Sequence, residues 1–265
     1  MYRCAIFRLC ACARKEEENG AWSKLFDQVL HESSVNSIAW APHVFGLILA
    51  TASADGKVCV LSYKPESNAW ERDVIQSPGG LGVNSVSWAP GVPSAALFDH
   101  NNAASQRPQK RLVTGGCDGR VRIWAESSQP QQQPHQGQQQ QHQQQQAQWV
   151  EQPVDGEATK HADWVRDVAW APSLGLPTGT IASCSEDQTV AIWTEAAAGQ
   201  PWTRAHTLRF DHKVWRVSWS VMGNILAVAQ GDNRVSLWKE SVDGAWTQIS
   251  ALTENDRDEQ QQQPF

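Results

Sequence analysis

The sequence predicts an all-β fold in which four similar units, each of four short antiparallel strands, stand as the blades of a propeller. Three observations carry that prediction. One strand is written four times: Val35-Asn36-Ser37-Ile38-Ala39-Trp40-Ala41-Pro42 returns as Val83 to Pro90, Val165 to Pro172 and Val214 to Ser220. Each copy is followed by a strand of small residues, an Asp-bearing turn and an alternating apolar strand, and a fixed order of this kind marks a repeat architecture. The 14 tryptophans fall almost entirely at three recurring places within that order.

In the first strand of each unit, apolar residues alternate up to Trp40, Trp88, Trp170 and Trp219, as in a strand half-buried between two layers. The second strand is Leu47 to Thr51, Arg111 to Thr114, Thr180 to Ser183 and Asn224 to Val228, dominated by small residues. Asp55-Gly56, Asp118-Gly119, Asp187-Gln188 and Asp232-Asn233 then turn the chain: the carboxylate bonds nearby backbone, and the next residue tolerates a left-handed conformation. The third strand alternates to Trp124, Trp193 and Trp238, with Leu61 in that place in the first unit. The fourth carries Trp70, Trp149, Trp202 or Trp246 near its start. Four strands repeating every 40–45 residues or so, once insertions are removed, describe a blade of the WD40 kind. Ahead of the first complete unit, residues 16–30 with Trp22 read as only the outer strand of an earlier blade.

Two segments fall outside the repeats. Residues 129–148 are nearly all Gln, with His135 and His142 among them. Such a tract has too little apolar surface to offset its ordering entropy, so it is expected as a disordered loop hung from the second blade, with no chemistry of its own. The acidic, Gln-rich tail 251–265 is expected to be disordered as well. The propeller then occupies 15–250, and residues 1–14 form a divergent N-terminal segment.

Composition narrows the function. A chain of 265 residues can form one all-β domain with a sizeable core. Its net charge of -6 gives no electrostatic footing for a polyphosphate, so the expected partner is a protein and not nucleic acid. The six cysteines show no secreted disulfide framework, and Cys10-Ala11-Cys12 lacks the spacing of a zinc knuckle. Neither metal, cofactor nor small-molecule substrate is expected. No stretch approaches the ~18 apolar residues of a membrane span, and Arg3 and Arg8 interrupt any secretory signal core.

One blade carries a complete structural tetrad of the WD40 pattern: His161 before the first strand, Ser183 in the second, Asp187 in the turn and Trp193 closing the third. A His, a Ser and an Asp in one repeat invite a catalytic reading. They recur at framework positions, however, as His31, Thr51 and Asp55, or Thr114, Asp118 and Trp124, or Asp232 and Trp238 with Val228 in the Ser place. A nucleophile needs an exposed site, so no catalytic residue is assigned and the chain is read as no enzyme. Trp164 and Trp215 lie off the blade positions, just before a first strand, on the loop face. They are candidate contacts for a peptide if the chain is a generic WD40 adaptor, and otherwise caps of the core.

The wording of the repeats is more specific than their period. The run His161-Ala162-Asp163-Trp164-Val165-Arg166-Asp167-Val168-Ala169-Trp170-Ala171-Pro172, continuing through Ser173-Leu174-Gly175-Leu176-Pro177 to Ile181–Ser185, closely resembles the Sec-thirteen family of protein transport proteins. So do Ser33–Ser37 with Gly46–Ala50, Gly115–Asp118, and Leu237–Gly244, the whole spanning about Lys15 to Ser250. The resemblance implies a non-catalytic scaffold of the outer COPII coat, which shapes vesicles leaving the endoplasmic reticulum for the Golgi. It implies the same role in the Y complex of the nuclear pore, with its link to mRNA transport, and in a nutrient-signalling coat. The implied location is cytoplasmic, peripheral on the vesicle membrane through the coat, and also at the pore.

The family's fold is an open six-bladed propeller, into which a Sec-thirty-one-like coat subunit or a Y-complex nucleoporin inserts a further blade in trans. That is β-augmentation, in which strands of another chain satisfy an exposed sheet. Against this pattern the chain reads as an incomplete version, short of about two N-terminal blades, roughly 80–90 residues at this repeat length. Either a truncated or alternatively initiated product or a mis-joined exon ahead of Lys15 would account for it, and the orphan strand argues for the second. The chain would keep one wall of the partner's socket, near Trp238, Trp246 and Ile249, and lack the other.

Overall fold

The computed structural model describes residues 2–7, 10–16, 20–92, 108–127, 149–154, 160–172, 178–197 and 199–252. The Gln-rich segment 129–148 and the tail beyond residue 252 lie outside them. Four four-stranded antiparallel sheets follow one another in chain order. Blade one is β4 (Val35–Trp40), β5 (Ile48–Ser53), β6 (Lys57–Lys64) and β7 (Ala69–Gln76). Blade two is β8 (Val83–Trp88), β9 (Arg111–Gly116), β10 (Val121–Glu126) and β11 (Trp149–Glu151). Blade three is β12 (Val165–Trp170), β13 (Gly179–Ser185), β14 (Thr189–Glu195) and β15 (Thr203–Arg209). Blade four is β16 (Val214–Trp219), β17 (Leu226–Gln230), β18 (Val235–Glu240) and β19 (Trp246–Leu252), the last running two residues past its expected end.

A three-stranded sheet precedes them: β1 (Tyr2–Phe7), β2 (Cys10–Glu16) and β3 (Trp22–Val29). The sequence suggested only the outer strand here. β3 is that strand, since it leads straight into β4 as β7 leads into β8 and β15 into β16. Tyr2–Phe7 and Cys10–Glu16 add the next two, although they match no repeat. β1 meets β4 as β5 meets β8, β9 meets β12 and β13 meets β16, so it stands in the second-strand place. Among the described residues no strand fills the innermost place of this sheet.

The first strands β4, β8, β12 and β16 contact one another in series and so form the inner wall. Each is paired to its second strand with a register shift at its second residue, a β-bulge at Asn36, Asn84, Arg166 and Trp215. A bulge leaves one residue unpaired and re-aims its side chain. The turns before the third strands take the left-handed backbone expected of them, at Gly56 (φ 79°), Gly119 (φ 75°), Gln188 (φ 67°) and Asn233 (φ 62°).

The core lies between consecutive blades. Ile48, Ala50, Ala52, Val58, Val60 and Ile75 of blade one meet Val83, Val86, Trp88 and Leu112 of blade two. Val113, Val121 and Ile123 continue to Val165, Val168 and Ile181 of blade three. Cys184, Val190 and Ile192 in turn meet Val217, Leu226 and Val228 of blade four. Within a blade, the Trp closing the first strand stands edge-on to the Trp opening the fourth: Trp88 with Trp149, Trp170 with Trp202 and Trp219 with Trp246.

Candidate functional site

The four tetrad residues of blade three lie in one hydrogen-bonded chain. His161 Nδ1 lies 3.2 Å from Asp187 Oδ2, His161 Nε2 lies 2.8 Å from Ser183 Oγ, and the Trp193 indole donates to the same hydroxyl at 2.8 Å. Burial works to raise the Asp187 carboxyl, but hydrogen bonds from His161, Thr189 and the Ala162 amide overcome it and hold the group well below the usual carboxylate range. Ser183 and Trp193 are fully buried. With its hydroxyl closed to solvent and shared between an imidazole and an indole, Ser183 has no route to a substrate.

Blade one repeats the relay. His31 reaches Asp55 at 3.1 Å and Thr51 Oγ1 at 2.8 Å, and the buried Leu61 stands in the Trp place. Blade two has no His at the matching place, and the buried Arg122 takes its part, ion-paired to Asp118, while the Trp124 indole donates to Thr114. Sequence reading missed Arg122, whose signal was a cation two residues ahead of a third-strand Trp. In blade four Trp238 donates to Ser236 Oγ at 2.9 Å, which supplies the hydroxyl that Val228 does not have.

Burial pushes the Cys59 thiol up to about 11 and holds Cys117 and Cys184 above the ordinary value. No cluster of three or more metal-ligating side chains occurs among the described residues. None of their helices is long and apolar enough to cross a membrane.

The chemistry of the molecule is concentrated at the joints between blades. Asn36 and Asn84, the bulge residues, each donate across to the next blade, to the carbonyls of Val83 and Val165, both at 2.9 Å. The residue after the bulge accepts a backbone N–H of the next blade: Ser37 from Val86, Ser85 from Val168 and Asp167 from Val217. Two residues further on, Ala39 and Ala169 offer carbonyls to the indoles of Trp88 and Trp219, and Ser87 Oγ accepts from the Trp170 amide. Arg111 and Glu195 add an ion pair between blades two and three at 2.7 Å.

Among the described residues, blade four has such a joint on one side only. Register places Ala227, Ala229, Val235, Leu237 and Leu252 where blade one has Ala50, Ala52, Val58, Val60 and Ile75. The blade-one residues are all buried by blade two. Their blade-four counterparts are half-buried or, for Leu252, 51 % exposed. Trp238 and Trp246, expected at the partner's edge, pack instead on the core shared by blades three and four, Trp238 against Phe210 in the link between them and Trp246 against Trp219 of its own blade. Ile249 is half-exposed on the outermost strand.

Trp164 and Trp215 are 45 % and 40 % exposed, and the Arg166 guanidinium lies 5.0 Å from the centre of each ring. Arg166 and Lys213 are both ion-paired to Glu186. The two indoles are thus bridged by a cation of the chain itself, and both mark the joint between blades three and four.

The description "WD domain, G-beta repeat" matches residues 24–62, 75–125, 156–194 and 202–239. Each match runs from the end of one blade to the third strand of the next, so a sequence repeat straddles a joint. "Protein SEC13 homolog" of Drosophila melanogaster is 41 % identical over 229 residues, 86 % of this chain and 58 % of that protein. "Protein transport protein sec13" of Aspergillus clavatus is 43 % identical over 234 residues, 88 % of this chain and 71 % of that protein. The chain belongs to the SEC13 family. A second fungal SEC13, from Emericella nidulans, is 43 % identical over 89 % of this chain and 68 % of its own length. The chain therefore spans between about three fifths and seven tenths of these SEC13 relatives. A chain in the "Crystal Structure of Mitotic Checkpoint Complex" superposes with a TM-score of 0.57 over 95 % of this chain and 60 % of its own, at 19 % identity, which bears on the fold alone.

Proposed function

We propose that this chain is a non-catalytic scaffold of the COPII vesicle coat in endoplasmic reticulum-to-Golgi transport, and of the nuclear pore Y complex, joined in each to a partner that adds a blade in trans. Membership of the SEC13 family, whose fungal members are named protein transport proteins, supports the setting. The observation that carries the reading is the uncovered outer face of blade four. Ala227, Ala229, Val235, Leu237 and Leu252 repeat the pattern that blade one buries against its successor. An apolar sheet face of this regularity is matched by another blade, whose own face would complete the layer.

The test is co-purification. The tagged chain recovers a Sec-thirty-one-like coat subunit, and Val235→Asp or Leu237→Asp abolishes recovery while far-ultraviolet circular dichroism is unchanged. Recovery that does not depend on this face, or no recovery by the wild-type chain, would sink the reading.

A further inference from the structure

Resting on the trans-blade reading above, we infer that the partner blade is selected at its innermost strand by a carboxylate set opposite Arg216, with Trp215 and Ser218 as flanking contacts. The residue after the bulge is Ser37, Ser85, Asp167 and Arg216 in blades one to four. The first three accept a backbone N–H from the blade that follows. Arg216 has nothing to accept with, since a guanidinium is all donor. An unmodified copy of the earlier joints would set a donor against a donor.

The surroundings of Arg216 leave its donors available. Its side chain is 70 % exposed, and its ion pair among the described residues is with Asp167 Oδ1 at 3.9 Å, beyond hydrogen-bond reach. Asp167 is itself occupied. Its Oδ1 takes the Ser85 hydroxyl at 2.7 Å and the Val168 amide at 3.0 Å, and its Oδ2 takes the Val217 amide at 3.2 Å.

Successive joints bring these side chains next to one another, Ser85 beside Asp167 and Asp167 beside Arg216. The equivalent residue of the next blade therefore stands beside Arg216, and a carboxylate there completes the alternation of charge with bidentate geometry. Trp215 occupies the bulge from which Asn36 and Asn84 cross to the next blade, and it is stacked from behind by Arg166. Ser218 occupies the place from which Ser87 accepts the Trp170 amide.

The experiment uses the full chain with the coat subunit named above, as wild type and as Arg216→Lys, Arg216→Gln and Arg216→Glu. Lys keeps the charge but loses the bidentate fork, so it weakens capture measurably yet less than Gln, which weakens it at least about tenfold. Glu abolishes it, since like charges across an interface oppose association. An acid-to-Lys change at one position of the partner's innermost strand restores capture by Arg216→Glu. Unaltered melting of Arg216→Gln by circular dichroism separates recognition from folding. Equal capture by wild type, Gln and Glu overturns the inference and leaves the trans-blade reading standing, whereas no capture by wild type overturns that reading and this one together. A concentration-dependent dimer of the chain alone, lost in Arg216→Glu, assigns the face to a second copy and overturns it too.

Discussion

Ser183 joins an imidazole to an indole in a site closed to solvent, so its removal leaves two buried groups short of a partner at once. Ser183→Ala is expected to cost about 1–3 kcal/mol in urea unfolding, the range for a buried polar group deprived of its bond. The two relay groups also give stability a pH dependence. Asp187 is held below its ordinary value in the folded chain, so its contribution is complete above the unfolded value of 3.8 and is lost as pH falls below it. Burial lowers His31 below 6.5, so the unfolded chain takes up a proton that the folded chain resists, and stability falls as pH drops through 6.5. Asp187→Asn should flatten the unfolding midpoint in the acid range and His31→Asn should flatten it near neutrality, each checked by urea titrations from about pH 7.5 to 3, which span both ordinary values. The tetrad was legible in sequence because its members keep fixed offsets within one repeat. Arg122 was not, because a cation on a third strand looks like any alternating residue until the strand's inner face is known.

At the scale of the strand and its turn, one glycine ties two blades. Gly119 sits at φ 75°, and a Cβ there would lie 2.6 Å from the His161 carbonyl oxygen of the next blade. Its own carbonyl accepts the His161 amide at 2.8 Å. Gly119→Ala therefore disturbs both the left-handed turn and the close approach, and should destabilise by at least about 1 kcal/mol in a thermal or denaturant melt. First strands were legible because alternation ending in Trp was repeated four times. The strands at 2–16 were not, for they match no repeat and are read only once paired with Trp22–Val29. The facing of Trp238 and Trp246 was also beyond the sequence: alternation gives two faces, and only the neighbouring blade says which one is inward.

Across the whole molecule, burial follows the number of neighbours. Blades two and three are covered on both faces, whereas the third and fourth strands of blade four are largely half-buried or exposed. Amides of β13 and β14 should therefore exchange with deuterium more slowly than those of β18 and β19, an ordering that hydrogen-exchange mass spectrometry reads directly. Uniform exchange across the blades would mean that they open as one unit. The propeller itself was evident from the repeats, while the asymmetry of its two ends needed register and neighbours.

The four bulges have a consequence for how such a chain can be rearranged. Their side chains are Asn, Asn, Arg and Trp on one shared backbone geometry, each suited to the blade that follows it. The blades are consequently an ordered series and not interchangeable parts. New termini placed in a surface turn would respect every adjacency, but exchanging blade two with blade four would bring Trp215 and Arg216 against a strand built to receive Asn84 and Ser85.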